Sequence, residues 1–469
     1  MKIGTAIAVL GCWLAFSAQA GAAKVYVRWT QAAIPAAKVL GVNEIVIPWN
    51  EQTNALLAEA KKRGYQAYVE AGVAQIADAA NAAAKAGAAG MVLRGPGAEQ
   101  EALIAKAKEL RAAHPNWKVL VVSPNGKQPD MRGWLVFKKD GILQVSSPTS
   151  QPWLDANLAA IRYERAFGTT VPVYTFSWDE SDALVKEHGP KPVDYALAIA
   201  EAGAYHADLI LEVHATQQKG LASGDRGTLT DWEQVRRYLE FYKRNDGAAA
   251  TQAEARVGVL TEEYESTYEA LNLMARHNIP FRVMKASEVK PSDLAKLDVA
   301  IVFAMPGKTL VTAIQEFAAN GGTAVLVKQQ GSFPWETAGA GVNNGPSTTY
   351  PVGKGAVIAL KEAVIDPETF AQDVRRLMPK ANVPVSLWNS LTTLVAAYPG
   401  AKKGETLVEL VNYDGDSTQV QVQVKGTYRS AIIETPEKGR SEKLKTSQVD
   451  GFTQFVVPDL LVGGTVRLE

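Results

Sequence analysis

Two short runs decide the fold: VPVYTFSWDE, from Val171 to Glu180, and ADLILEVH, from Ala207 to His214. Both are rich in β-branched, aromatic and aliphatic residues and carry acids towards their ends. Between them, YALAIAEAGAYH (Tyr195 to His206) has the apolar density of a buried helix. Strand, helix, strand is the unit of a parallel sheet. Side chains alternate across a strand. Leu209, Leu211 and Val213 therefore share one face, and Ile210, Glu212 and His214 the other. On the first run Thr175, Ser177 and Asp179 oppose Tyr174, Phe176 and Trp178. The apolar faces belong under helices. The opposite faces carry Asp179, Glu212 and His214 to the C-terminal strand ends, where barrel enzymes place their chemistry.

Reading outward, the same alternation fills the chain from Lys24. The runs KVYVRW, EIVIPWN, QAYVEAG, GMVLRGPG and KVLVVSP each precede a helical pattern or a loop. WLVF reads as an extra strand and ILQVSSP as the sixth principal one. With the two runs above, this predicts a (β/α)8 TIM barrel over residues 24–245. The small-residue linker GAAATQAEA follows. RVGVL, FRVM, DVAIVF and TAVLV then alternate with helices, predicting a flavodoxin-like or amidotransferase-like α/β domain over residues 255–380. RVGVLTEE lacks a GxGxxG turn, so nothing there argues for a dinucleotide. After Pro384 the helices stop. TTLVAAY, ETLVELVNY, QVQVQV, SAIIETP, FTQFVVP and TVRLE predict a small antiparallel β-sandwich over residues 385–469.

The 469 residues are too many for one core and imply a multidomain α/β protein. Lysine plus arginine equals aspartate plus glutamate at 49 each, so no global basic field exists to hold nucleic acid. Residues 1–20 read as a signal peptide: one early charge at Lys2, an apolar run from Ile3 to Phe16, and Ala18-Gln19-Ala20 as a small-x-small cleavage pattern. That segment is too short for a good membrane span, and it predicts an exported protein, periplasmic or extracellular. Val9 to Cys12 is a fainter lipoprotein box. Cys12 is the only cysteine, so a mature chain beginning at Gly21 has no disulfide, thiol nucleophile or thiolate metal site.

In domain order, and in the stretches AANGGTAVLV, LVNYDGD and FVVPDLLVGGTVRLE, the chain resembles the family 42 β-galactosidase type of glycoside hydrolase. The resemblance implies a glycosidase barrel, an amidotransferase-like middle domain serving homo-oligomer contacts, a carbohydrate substrate and no cofactor. It also implies an Asn-Glu acid/base pair ending strand four and a glutamate nucleophile on strand seven. Here strand four ends GMVLRGPG, with Arg94 where the acid should be, and strand seven ends SWDE.

Alternation also pairs Tyr68 with Glu70, Val92 with Arg94, Val121 with Ser123, and Gln144 with Ser146. With the more polar faces turned inward, Glu70, Arg94, Asp179, Glu212 and His214 ring the barrel mouth. Glycoside hydrolysis needs two carboxyl groups. Asp179 and Glu212, on adjacent strands, are the expected catalytic pair, with Glu70 in reserve. Arg94 either holds a substrate carboxylate or forms a salt bridge with Glu70, the commoner arrangement. Trp29, Trp49, Trp153 and Trp178 fall at or just past strand ends, where indole faces suit sugars, although at least one is expected only to plug the barrel. The five histidines show neither HxH nor HExxH spacing, so no metal is expected, and His214 reads as a partner for a carboxylate. No G-x-S-x-G elbow occurs. Three functions fit: a secreted glycoside hydrolase using two carboxylates, a non-catalytic carbohydrate-binding or scaffolding protein on the same barrel, and a metal-dependent carbohydrate deacetylase or lyase.

Overall fold

A computed structural model describes residues 23–132, 135–139, 142–146, 152–168, 170–178, 183–244, 248, 252–329, 331–337 and 341–469. The signal segment with Cys12, and Asp179 and Glu180, lie outside them. The chain forms a parallel barrel, a second α/β sheet and a two-sheet β-sandwich, in that order.

The barrel strands are β1 (Val25–Arg28), β2 (Glu44–Pro48), β3 (Gln66–Ala71), β4 (Gly90–Leu93) and β5 (Lys118–Val121). Four more strands, β6 (Asp130–Arg132), β7 (Leu135–Lys139), β8 (Ile142–Ser146) and β9 (Trp153–Asp155), stand outside the barrel. The barrel resumes with β10 (Val173–Tyr174) and β11 (Asp208–Glu212). The parallel order is β10-β11-β1-β2-β3-β4-β5. The ring closes where Ser123, two residues past β5, bridges to Tyr174, its N–H donating to the Val173 carbonyl at 2.7 Å.

Among the described residues the barrel thus has seven strands, and the expected sixth is corrected. Ile142–Ser146 pairs antiparallel with Leu135–Lys139, and β6 with β9, so the two pairings form a ribbon outside the barrel. The reason is local. The two runs are separated by Asp140-Gly141, a dipeptide suited to the left-handed positions of a two-residue hairpin turn. A hairpin closes sooner than a crossover.

Tyr26, Val46, Tyr68, Val92, Leu120, Val122, Val173 and Ile210 fill the barrel interior as a cluster of their own. Tyr26 and Tyr68 meet edge to face, 5.2 Å between ring centres. The alternate residues pack outward under amphipathic helices. On Gln100–Ala113 the buried side chains are Leu103, Ala107 and Leu110, one stripe at helical spacing. Gly90 is needed for strand approach, since a Cβ there would sit 1.9 Å from the Lys118 carbonyl oxygen.

A buried carboxylate ties the ribbon to the rest. Asn157 closes the ribbon's neck, accepting from Lys127 N–H and donating to Lys127 C=O, both at 2.8 Å. Glu201, on the helix Pro192–Ala204, accepts from Asn157 N and Nδ2 at 2.6 Å each and from the Tyr413 hydroxyl of the sandwich at 2.7 Å. Burial pushes the Glu201 carboxyl above the usual carboxylate range.

The second sheet runs Phe281–Lys285, Val257–Thr261, Val299–Val302, Thr323–Val327 and Gly355–Leu360 in parallel, then Ser347–Val352 and Val342–Asn343 antiparallel. The sandwich stacks a four-stranded sheet on a five-stranded one, with Val408, Leu410, Val420, Val422, Phe455 and Val466 between them. No helix among the described residues is long and apolar enough to cross a membrane.

Candidate functional site at the barrel mouth

Two residues beyond the interior layer, the same alternation brings charge to the C-terminal end. Tyr26 leads to Arg28, Tyr68 to Glu70, Val92 to Arg94, Val173 to Thr175, and Ile210 to Glu212. The register Arg28 with Glu212 on neighbouring strands puts β1 and β11 level at that height.

The four charges form a chain of alternating sign. Arg28 grips Glu70 with Nε at 3.1 and 3.0 Å from its two oxygens and Nη2 at 2.9 Å from Oε1. Arg94 Nη1 lies 2.5 Å from Glu212 Oε1 and 3.9 Å from Glu70 Oε2. Thr175 Oγ1 lies 3.0 Å from the same Glu212 oxygen and 2.9 Å from the Ile210 carbonyl. Among the described residues nothing hydrogen-bonds to Glu212 Oε2. The Arg94 side chain is 30% exposed and that of Glu212 18%, so this end of the network reaches solvent. One guanidinium nitrogen touching both acids limits their separation. Laid end to end, its two distances put the nearest oxygens of Glu70 and Glu212 within about 6.4 Å.

The expected mouth residues distribute as follows. Glu70, Arg94 and Glu212 come together, and Arg94 does pair with Glu70, though more closely with Glu212. Asp179 lies outside the described residues, and so does any Asp179–Glu212 spacing. His214 instead caps the helix Ala215–Ser223, its Nδ1 accepting from Thr216 N–H at 3.3 Å. On β5 the chosen face is corrected: Leu120 and Val122 point inward, and Ser123 turns out to Glu164, which accepts from its hydroxyl at 2.7 Å. Gln144 and Ser146 belong to the ribbon rather than the barrel.

The tryptophans divide too. Trp29 is fully buried, its Nε1 donating to the carbonyls of Gln31 and Ala33, so it offers no face to a ligand. Trp178 is buried between Phe176 and Tyr195, and its Nε1 donates to the Glu212 carbonyl at 2.7 Å, bracing β11 from outside. Trp153 lies under the Arg276 guanidinium, 3.2 Å from its ring centre. Trp49 is half-buried, and its backbone N–H donates to the Glu70 carbonyl at 2.8 Å. Arg28 is the mouth residue the sequence reading passed over, although KVYVRW places it two residues past an inward tyrosine. No group of three or more His, Cys, Asp or Glu able to hold a metal occurs among the described residues.

Seven parallel strands around a packed core, with charge gathered at their C-terminal ends, can be compared with known proteins. An α-L-fucosidase isoenzyme 2 from Paenibacillus thiaminolyticus superposes with a TM-score of 0.59 at 12% identity, over 96% of this chain and 99% of that one. The fold is glycosidase-like. A catalytic mutant of a GH42 β-galactosidase from G. stearothermophilus superposes with a TM-score of 0.52 at 8% identity, over 96% and 98% of the two chains. The chain thus has a divergent glycoside hydrolase-like fold. No family model matches the sequence, and no curated protein does.

Proposed function

We propose that this glycosidase-like protein recognises a glycan at the barrel mouth through Arg28, Glu70, Arg94 and Glu212, and holds it without cleaving it. The observation that carries this reading is the Arg94 guanidinium bridging Glu70 and Glu212. A general acid must present a proton to the glycosidic oxygen. Both Glu70 oxygens accept from Arg28 and Glu212 Oε1 accepts from Arg94 and Thr175, so of the four carboxylate oxygens Glu212 Oε2 alone is left unengaged among the described residues. What remains is a set of fixed charged donors and acceptors suited to sugar hydroxyls. Fold alone assigns no activity.

A second reading, hydrolysis, is favoured by one distance. Two carboxylates within about 6.4 Å are compatible with the ~5–5.5 Å spacing of retaining glycosidases. On that reading Glu70, held by Arg28, is the nucleophile and Glu212, through Oε2, the acid.

One experiment separates them. Neutral and acidic oligosaccharides are titrated calorimetrically into the full-length protein, and the same mixtures are assayed for released reducing ends. The expected result is binding of at least one oligosaccharide with no release. Arg94→Ala and Glu212→Gln should each bind it about 10–100-fold more weakly, since a hydrogen bond to a charged group contributes about 1.5–3 kcal/mol. Release of reducing ends, abolished by both Glu70→Gln and Glu212→Gln, would establish the second reading instead. A wild type that binds no sugar, or variants that bind like wild type, would refute both.

A further inference from the structure

Far along the chain, one tryptophan stands apart from the other described ones. Trp388 is 65% exposed. It follows the strand Val385–Leu387, the edge of the four-stranded sheet of the sandwich. The ring is exposed but its backbone is held. Trp388 N–H donates to the Gln421 carbonyl at 3.2 Å. Asn389 then accepts from Gln421 N–H at 2.7 Å and donates to the Gln419 carbonyl at 2.9 Å. The indole keeps a large apolar face in water, and it does so beside the exposed Val456 on the wall of a cavity, which is what suits it to a ligand.

Most neighbours on that face are uncharged and polar. Strand register aligns Ser386, Gln423, Gln454 and Ser447 in one row across all four strands. A second row begins at Trp388 and continues through Gln421 and Val456. The intervening residues, among them Val422, Val424, Phe455 and Val457, point into the sandwich. A cavity of about 580 Å³ lies over both rows, and Lys445 is the one charged residue lining it. Gln454 Nε2 donates to Gln423 Oε1 at 3.3 Å, which leaves each amide further donors and acceptors for a ligand. Four strands at ~4.8 Å spacing make a platform ~14 Å across, longer than one sugar ring.

The geometry points to a second glycan-binding site here, on the outer face of the sandwich, with Trp388 stacking on the sugar and the Gln421, Gln423 and Gln454 amides bonding its hydroxyls. Hydroxyls both donate and accept, as the amide row does. With Lys445 the one charged residue lining it, the cavity has no basic patch to suit a polyanion. The inference shares its ligand class with the mouth reading but uses none of the mouth's residues. Its occupant is a polysaccharide chain, since an open platform suits an extended ligand.

The test is co-sedimentation of full-length protein with insoluble polysaccharides of different backbone, for wild type, Trp388→Ala and Arg94→Ala. Trp388→Ala removes a surface ring and should leave the melting temperature unchanged. Wild type should sediment with at least one polysaccharide. Trp388→Ala should bind it at least tenfold more weakly, about 1.4 kcal/mol, while Arg94→Ala keeps it. The double variant Gln423→Ala, Gln454→Ala should lose part of the same affinity. Retention by Trp388→Ala equal to wild type, or no retention of wild type on any polysaccharide, overturns the inference. So does a wild-type dimer that Trp388→Ala converts to monomer, because the ring then serves a second copy of this chain. If oligosaccharides fail to bind the mouth while Trp388-dependent sedimentation persists, the mouth reading falls and this one stands.

Discussion

Replacing His206 with asparagine should flatten the acid sensitivity of the fold. His206 is 5% exposed and sits on the turn between the helix Pro192–Ala204 and β11, the strand that ends in Glu212. Its ring stands edge-on to Tyr398 of the sandwich, centres 4.6 Å apart, and Nε2 has no hydrogen-bond partner among the described residues. Arg165 Nη2 lies 3.0 Å from the His206 carbonyl oxygen. Burial, reinforced by the Arg165 charge, pushes the imidazole down to about 4. In the unfolded chain it titrates near 6.5. Between those values the unfolded state binds more protons than the folded one, so stability is complete above ~6.5 and falls as pH drops towards 4. From pH 7.5 to 4.5 the loss is about 2.5 kcal/mol, or roughly 5–10 °C in Tm for a barrel of this size. Asparagine tolerates the positive φ of 55° at this position and does not titrate. The assay is thermal unfolding of both proteins at the two pH values. The variant should start lower at pH 7.5 and lose less on acidification. Glu201 and Glu164, pushed up by burial, act in the opposite sense but equally in both proteins. Equal Tm losses in wild type and variant would show that His206 is not the group responsible.

Two further outcomes follow from packing. Glu201→Ala strands three buried donors, two on Asn157 and one on Tyr413, at about 1–3 kcal/mol each. A loss of roughly 3 kcal/mol or more is expected in denaturant unfolding, with new protease cleavage between residues 128 and 156, and Glu201→Gln should cost less; unchanged stability and protection would contradict the assigned network. Gly90→Ala puts a methyl 1.9 Å from a strand carbonyl and no rotamer relieves it, so loss of soluble protein or a fall beyond about 4 kcal/mol is expected, and a wild-type melting curve would count against the strand register.

Much of the site was readable because strands with one polar face announce their orientation. QAYVEAG, GMVLRGPG and ADLILEVH each have one polar residue two positions past a buried one, and Glu70, Arg94 and Glu212 meet as that pattern requires. KVLVVSP is apolar at nearly every position, so parity gave no preference, and choosing the face with Ser123 chose the outside. The sixth strand misled for another reason. ILQVSSP has the composition of a barrel strand, and only its nearness to WLVF across Asp140-Gly141 shows that it has a partner already. Arg28 was hidden because a lone arginine at a strand end reads as an ordinary solvated cation, and its partner Glu70 is 42 residues away. No local pattern reveals that Trp153 will lie beneath Arg276 or Trp29 inside the core, because both depend on residues distant in sequence or on loop closure.

The Glu201 junction bears on how such a chain can be cut or recombined. A fragment ending at Arg244 would lose Tyr413, which answers the buried carboxylate, and Tyr398, whose hydroxyl donates to the Ala204 carbonyl at 2.9 Å. It would also lose Arg276, whose Nε holds the Leu154 carbonyl at 2.9 Å beside the ribbon's neck. The breaks most inviting in the sequence are therefore poor places for scissors: the linker after Arg244 is a convenient joint in the covalent chain, but the elements before and after it meet across a sealed seam. Grafting a different sandwich onto this barrel would require the graft to bring two tyrosines at the same places, so gene fusion at that linker transfers a roof as well as an appendage.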